Sequence, residues 1–336
     1  MIDFRSDTVT QPTEAMRLAM SRAEVGEHVY GDDPTVNSLQ ELAADKFGFD
    51  AALFVSSGTQ ANLLALMSHC ERGDEYLCGQ QAHNYKFEGG GAAVLGSIQP
   101  QPLNNQADGS ILLADIDGAI KPDDVHFAQT RLLSLENTIN GKVLSQEYLA
   151  QAQGLAFNRG LKIHLDGARV ANAAVAQGIA IADITQYFDS VSICLSKGLC
   201  APIGSILLGD ERLIGKATRW RKMLGGGMRQ AGIIAAAAKL ALTEQVDRLA
   251  DDHHNAKTLA LSLLEMAEFS VDMSQVQTNM VFATLADHID PKAFAAKLAE
   301  KGINISPGRQ LRLVTHKDIS ANDINFFVNT VKQIIR

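Results

Sequence analysis

The sequence predicts an α/β fold, with a large domain built on a mostly parallel sheet and a small α+β domain after it. Three observations predict it. Short apolar runs bounded by Gly and Asp alternate with helical patterns over most of the chain, as in sheets covered on both faces. After about residue 243 the pattern changes to one long amphipathic helix followed by short mixed elements. A chain of 336 residues can also bury one large core and a smaller satellite.

The candidate strands come first. They are A-A-L-F-V at 51–55, R-L-L-S-L at 131–135, L-K-I-H-L at 161–165, S-V-S-I-C-L at 190–195 and I-G-S-I-L-L at 203–208. Only S-K-G-L-C-A-P separates the last two, too little chain for a helical crossover, so they are expected to be antiparallel neighbours in an otherwise parallel sheet. This gives a large domain over 1–242, including an N-terminal arm, and a small one over 243–336. In the second, Val246, Leu249, His253, Ala256, Leu259 and Leu263 recur at helical spacing. A strand T-N-M-V-F-A-T-L, a helix P-K-A-F-A-A-K-L-A-E-K ending at Gly302 and strands near 303–306 and 310–315 follow. Ser320 with Asp323 starts the closing helix in the manner of a capping box, and Ile324, Phe327, Val328, Val331 and Ile335 form its apolar stripe.

Composition excludes several classes. With 30 basic against 38 acidic side chains the formal charge is −8, and no basic run offsets it, so nucleic acid is not an expected partner. The polar N-terminus M-I-D-F-R-S-D is no signal peptide, and A-G-I-I-A-A-A-A is cut by Lys239 before it could span a bilayer, so no membrane partner is expected. Cys70, Cys78, Cys194 and Cys200 show neither C-x-x-C nor zinc-ligand spacing, which fits reduced thiols in a cytoplasmic protein. The nine histidines are scattered, and the adjacent His253 and His254 cannot face one ion from a helix, so no metal is expected. E-G-G-G-A-A-V-L-G and G-G-G-M-R-Q-A-G do not read G-x-G-x-x-G, and no P-loop exists.

Three motifs carry chemistry. S-S-G-T-Q-A-N at 56–62 leads from an apolar run into a helix pattern; such a turn aims N–H groups at one point and suits a phosphate, although alone it reads equally as an ordinary N-cap. In I-H-L-D-G-A-R at 163–169, Asp166 closes an apolar strand where open α/β sheets gather ligands, with His164 on its face; an ion pair with Arg169 is the plainer alternative. Lys197 in S-I-C-L-S-K-G-L-C-A-P-I-G ends an apolar run among small residues, a costly place for an ammonium unless its amine is used. A phosphate turn, a strand-end carboxylate and a later lysine are together what pyridoxal 5′-phosphate needs for its phosphate, ring nitrogen and aldehyde.

The chain resembles the low-specificity L-threonine aldolases, within the fold type I (aspartate-aminotransferase-like) pyridoxal-phosphate enzymes. The resemblance rests on D-F-R-S-D-T-V-T, V-Y-G-D-D-P-T, S-G-T-Q-A-N, H-N-Y, L-E-N-T, H-L-D-G-A-R, L-S-K-G-L, R-K-M-L-G-G-G-M-R-Q and R-L-V-T-H, which run nearly end to end. It implies a seven-stranded large-domain sheet and a homotetramer, a dimer of dimers with sites at subunit boundaries. It also implies that Lys197 bonds the cofactor aldehyde, Asp166 pairs with the ring nitrogen, and Gly58, Thr59 and Gln60 hold the phosphate with Arg229 from a neighbouring subunit. His83 stacks on the ring, and Arg169 lies near its hydroxyl. Ser6, Arg169 and Arg312 meet the substrate carboxylate, with Tyr30 and Lys222 near a subunit boundary. The implied reaction is reversible cleavage of β-hydroxy-α-amino acids such as L-threonine or L-allo-threonine to glycine and an aldehyde. His83, His126 or a phosphate-associated water is the base. A transaminase, racemase or β-eliminating lyase on the same fold, or a cofactor-binding protein without turnover, is the alternative. Two positions depart from the family: Ile139 stands where a histidine is common, and Cys200 where a small residue such as glycine is usual.

Overall fold

The computed structural model describes residues 1–335. Twelve strands occur in chain order. The first eight are β1 (Ile2–Asp3), β2 (Ala51–Val55), β3 (Asp74–Gly79), β4 (Gln99–Leu103), β5 (Gln129–Glu136), β6 (Lys162–Asp166), β7 (Ser190–Cys194) and β8 (Ser205–Gly209). The rest are β9 (Phe269–Val271), β10 (Met280–Leu285), β11 (Ile303–Asn304) and β12 (Gln310–Val314). Seven of them make the main sheet, in the order β2-β8-β7-β6-β5-β3-β4.

Every neighbouring pair from β7 to β4 is parallel, while β8 runs antiparallel to both β7 and β2. The short 195–204 connection had required this, because it can only fold β8 back beside β7. β3 and β4 are not apolar runs, and the reading of strands by hydrophobicity passes over them. β3 opens on Asp74 and Glu75, and Glu75 is fully buried with Lys121, Thr130 and Gln99 as partners. β4 is Q-P-Q-P-L at the sheet edge, where a proline costs no ladder hydrogen bond.

The main core contains Phe54, Leu133, Leu165, Ile193 and Leu208 from the sheet and Leu39, Leu149 and Leu242 from helices packed on it. A second core contains Leu259, Leu263, Val281, Leu313, Phe327 and Val331. Phe4 belongs to this second core, because β1 pairs in parallel with β11 and hands the chain's first residues to the C-terminal unit. β12, β10 and β9 form its antiparallel sheet. The helix Leu249–Leu264 begins just after Val246, and Ala321–Ile334 starts in the capping box of Ser320 and Asp323. Among the described residues no helix is long and apolar enough to cross a membrane.

Candidate active site

Residues from the carboxyl ends of β5, β6 and β7 meet the N-terminal arm and β12 at the cleft between the two cores. The helix Gly58–His69 follows β2 directly, and the Ser57 hydroxyl caps it by accepting from the Gln60 N–H at 3.1 Å. Gln60 in turn accepts from the Ser56 N–H and hydroxyl, both at 3.1 Å, which closes the turn. The Ser205 hydroxyl is buried without a protein partner, 3.7 Å from where a Gly58 Cβ would stand. An unpaired hydroxyl beside free helix N-terminal N–H groups is a donor set for an anion such as a phosphate.

Asp166 is 2% exposed at the end of β6. Its carboxylate accepts from the Asn62 amide at 2.7 Å and from the Ala168 N–H at 3.1 Å. Glu136 stands in register beside it on β5. Burial and the adjacent Asp166 charge push the Glu136 carboxyl well above the usual carboxylate range. His164 does not touch Asp166 by a hydrogen bond. It lies 3.3 Å from the Asn62 oxygen and supports the carboxylate only through that amide.

Lys197 is half-buried on the β7–β8 connection, and its main chain is tied down from three sides. Its carbonyl accepts from the Thr10 hydroxyl at 2.9 Å and from the Cys200 N–H at 2.9 Å. The Gly198 carbonyl accepts from Arg248 at 2.9 Å, and a Cβ on Gly198 would come within 2.9 Å of Leu249. Cys200 has φ +67°, the left-handed conformation that glycine adopts at least cost, and its thiol donates to the Gly198 carbonyl at 3.2 Å. A turn suited to glycine here carries a cysteine whose side chain braces the lysine-bearing loop.

A cavity of about 320 Å³ is lined by Ser6, His83, Glu136, Arg169, Lys197 and Arg312, with Thr8, Gln81, Phe87, Asn140 and Met280. The Arg169 guanidinium grips the fully buried Asp7 through two bonds, 2.7 and 2.5 Å. Burial would raise the Asp7 carboxyl, but Arg169, Lys197 and Arg312 outweigh it and hold it far below the usual carboxylate range. Burial and the facing Arg169 make Arg312 easier to deprotonate than an ordinary arginine. Three cations thus converge on one buried carboxylate, and this wall of the cavity suits a further anion.

Among the residues singled out from the sequence, Ser6, His83, Arg169, Lys197 and Arg312 line this cavity. Asp166 and the Gly58–Gln60 turn flank it at the strand ends. The structure does not bring His126, Tyr30, Lys222 or Arg229 to it within one chain. His126 is exposed on the turn before β5, with Nδ1 2.5 Å from Asp124. Tyr30 is 77% exposed, and Arg229, also exposed, pairs with Glu27. Glu27 also accepts from the Tyr30 N–H at 2.7 Å, and Lys222 is exposed over Gly227, so these residues form one outward patch. That patch borders the phosphate-type turn, since a Cβ on Gly226 would meet the Gln60 amide at 2.4 Å. Ile139 is buried against Gly109 and is not among the residues lining the cavity, although its neighbour Asn140 is. Reading the motifs missed Asp7, Glu136, Asn62 and Glu88. For Glu136 the signal was present: like Asp166, it is an acid closing an apolar strand.

A strand-end carboxylate, a braced lysine on the turn beside it and a cationic cleft define the class, an α/β enzyme scaffold with an anion-suited site at the strand ends. The family model described as beta-eliminating lyase matches residues 3–286. The chain is 54% identical over 324 residues to the low specificity L-threonine aldolase of Escherichia coli K12, covering 96% of each. It is 41% identical over 342 residues to low-specificity L-threonine aldolase 1 of Arabidopsis thaliana, covering 99% of this chain and 96% of that one. In fold it matches the Leishmania major threonine aldolase with a TM-score of 0.85 at 21% identity, over 100% of both chains. The chain belongs to the beta-eliminating lyase family, among its low-specificity L-threonine aldolases.

Proposed function

We propose that this chain is a pyridoxal 5′-phosphate-dependent aldolase. It cleaves L-threonine, L-allo-threonine and related β-hydroxy-α-amino acids reversibly to glycine and an aldehyde. The observation that carries this reading is the convergence of Lys197, Arg169 and Arg312 on one cavity beside Asp166. The donor set fits the cofactor: Gly58, Thr59 and Gln60, with the unpaired Ser205 hydroxyl, would hold its phosphate. Asp166 would hold its ring nitrogen, Lys197 its aldehyde, His83 one ring face and Arg169 the ring hydroxyl. Bound there, the cofactor supplies a protonated ring that draws off the electron pair left on the substrate Cα when the Cα–Cβ bond breaks.

The chain's own residues orient and protonate. Arg312, with the Ser6 hydroxyl and Arg169, would grip the substrate carboxylate and so fix the orientation in which the substrate is held for cleavage. Asp7 holds Arg169 in place and keeps the cationic wall from repelling itself apart. His83 is the imidazole on the cavity wall and takes the proton from the β-hydroxyl. A part for His126 needs a neighbouring subunit, because its own chain holds it on an exposed turn. The same holds for Arg229, Tyr30 and Lys222, whose outward patch fits a homotetramer with shared sites. Four free, buried cysteines fit a reducing cytoplasm.

The test is product detection with purified, cofactor-loaded protein given L-threonine, L-allo-threonine and D-threonine side by side. Acetaldehyde and glycine from the L-isomers are expected. Ammonia with a keto acid would mean β-elimination, and conversion of the cofactor to its amine form would mean transamination; either overturns the reading.

A further inference from the structure

Glu88 lies outside the cavity wall, yet it is tied to two residues of the site. Its side chain is 4% exposed, and Oε1 lies 2.8 Å from His83 Nδ1 and 2.8 Å from the Asn62 amide nitrogen. Asn62 is 1% exposed, and the same amide nitrogen lies 2.7 Å from Asp166 Oδ2. An amide nitrogen carries two hydrogens, and here each goes to a different carboxylate. The Asn62 oxygen accepts from the Ser192 hydroxyl at 2.7 Å and faces His164 Nε2 at 3.3 Å. Turning the amide over would set its oxygen against two carboxylates, so only one orientation satisfies every partner.

That orientation decides where the protons are. Glu88 Oε1 already accepts from Asn62 and stands as an acceptor toward the imidazole, so the proton between Glu88 and His83 belongs on His83 Nδ1. The opposite ring nitrogen, Nε2, is left to face other groups. We infer that Glu88 is a positioning residue that sets the tautomer and charge of His83, and that Asn62 locks this pair to Asp166 in one hydrogen-bonded unit. His83 is faced by Glu88, by Asp166 and by Glu136, which accepts from its main-chain N–H at 2.8 Å; Lys197 opposes them, and Lys86 follows it on its own short helix, which Phe87 caps. The hydrogen bond to Glu88 holds the His83 imidazole above its ordinary value, against burial and Lys197. Burial raises the Glu88 carboxyl, with Asp166 adding to it and the His83 and Asn62 bonds opposing. A buried carboxylate paired to an active-site imidazole selects which nitrogen is free to exchange a proton.

The importance of this pair for turnover rests on the aldolase reading; the pairing itself does not. The test follows the His83 ring by NMR in protein carrying labelled histidine, with and without cofactor, its signal assigned by loss in His83→Asn. In Glu88→Gln the His83 titration is expected to fall below that of the wild type, and the acid limb of the aldol pH profile to move down with it. Glu88→Asp should restore part of both. An unchanged His83 titration in Glu88→Gln overturns the inference, whereas a shifted titration that leaves the pH profile in place supports the pairing and removes His83 as the base of the proposed reaction. If Glu88→Gln does not fold, Asn62→Ser is read the same way, and a His83 titration identical to wild type again refutes the unit. A wild-type protein without aldol activity would refute the proposed function, while the NMR titration would still decide the Glu88–His83 pairing.

Discussion

Asp7 and Arg169, 162 residues apart, face each other through two hydrogen bonds of 2.7 and 2.5 Å where Arg169 lines the cavity. Asp7→Asn leaves the Arg169 guanidinium enclosed without its counter-charge. Losing one partner of a buried pair costs about 3–5 kcal/mol, read as a lower urea midpoint. The Asp7 carboxyl is depressed in the fold, so its contribution is present above its unfolded value, roughly 3.9, and is lost only as pH falls through the folded one. The gap between wild type and Asp7→Asn should therefore hold steady from neutrality down to mild acid.

Lys197→Ala should bind cofactor without the absorbance band of a lysine-bonded aldehyde and should lose aldol cleavage. A variant that still shows the wild-type spectrum after gel filtration would remove Lys197 as the anchor.

His164 is fully buried between Ser190 and Asn62, and burial pulls its imidazole down to about 4. The fold keeps it neutral while the unfolded chain takes up a proton near 6.5. Stability should therefore decline as pH drops from about 6.5 toward 4, by about 3 kcal/mol in all from this residue. Replacing His164 with Gln should make that part of a stability-against-pH curve, measured by urea unfolding, less steep, with His69 and His253, which burial also pulls down, supplying the decline that remains.

Cys200 holds a positive φ that β-branched residues resist. Cys200→Gly trades relief of that conformation against the lost thiol contact and should stay within about 1 kcal/mol of wild type. Cys200→Val should lose more than Cys200→Gly. Burial pushes the Cys200 thiol up to about 11, so alkylating reagents should label it only after unfolding.

Arg229 and Lys197 offer a test of shared sites. If Arg229 serves a neighbour's phosphate turn, mixing and reassembling two inactive variants, Arg229→Ala and Lys197→Ala, should regenerate sites with both residues intact and regain activity. Mixtures as inactive as their parents would place Arg229 outside any shared site.

Local pattern was enough for much of this protein. The apolar strands β2, β5, β6, β7 and β8 were legible because each buries both faces, and the antiparallel turn before β8 followed from chain length. β3 and β4 were not, because Glu75 is neutralised by residues remote in sequence and β4 lies at an edge where prolines are tolerated. At the site, Lys197, Asp166 and the Ser57-capped turn declared themselves through their immediate neighbours. Asp7, Glu136, Asn62 and Glu88 did not, since each takes its meaning from partners on other segments. The sequence by itself determined the α/β class and pointed to three groups suited to a pyridoxal-type cofactor. Only the tertiary structure decided which cations share one buried carboxylate and which acids stand side by side, because charge and hydrogen-bond balance depend on distances between segments that the chain order does not contain.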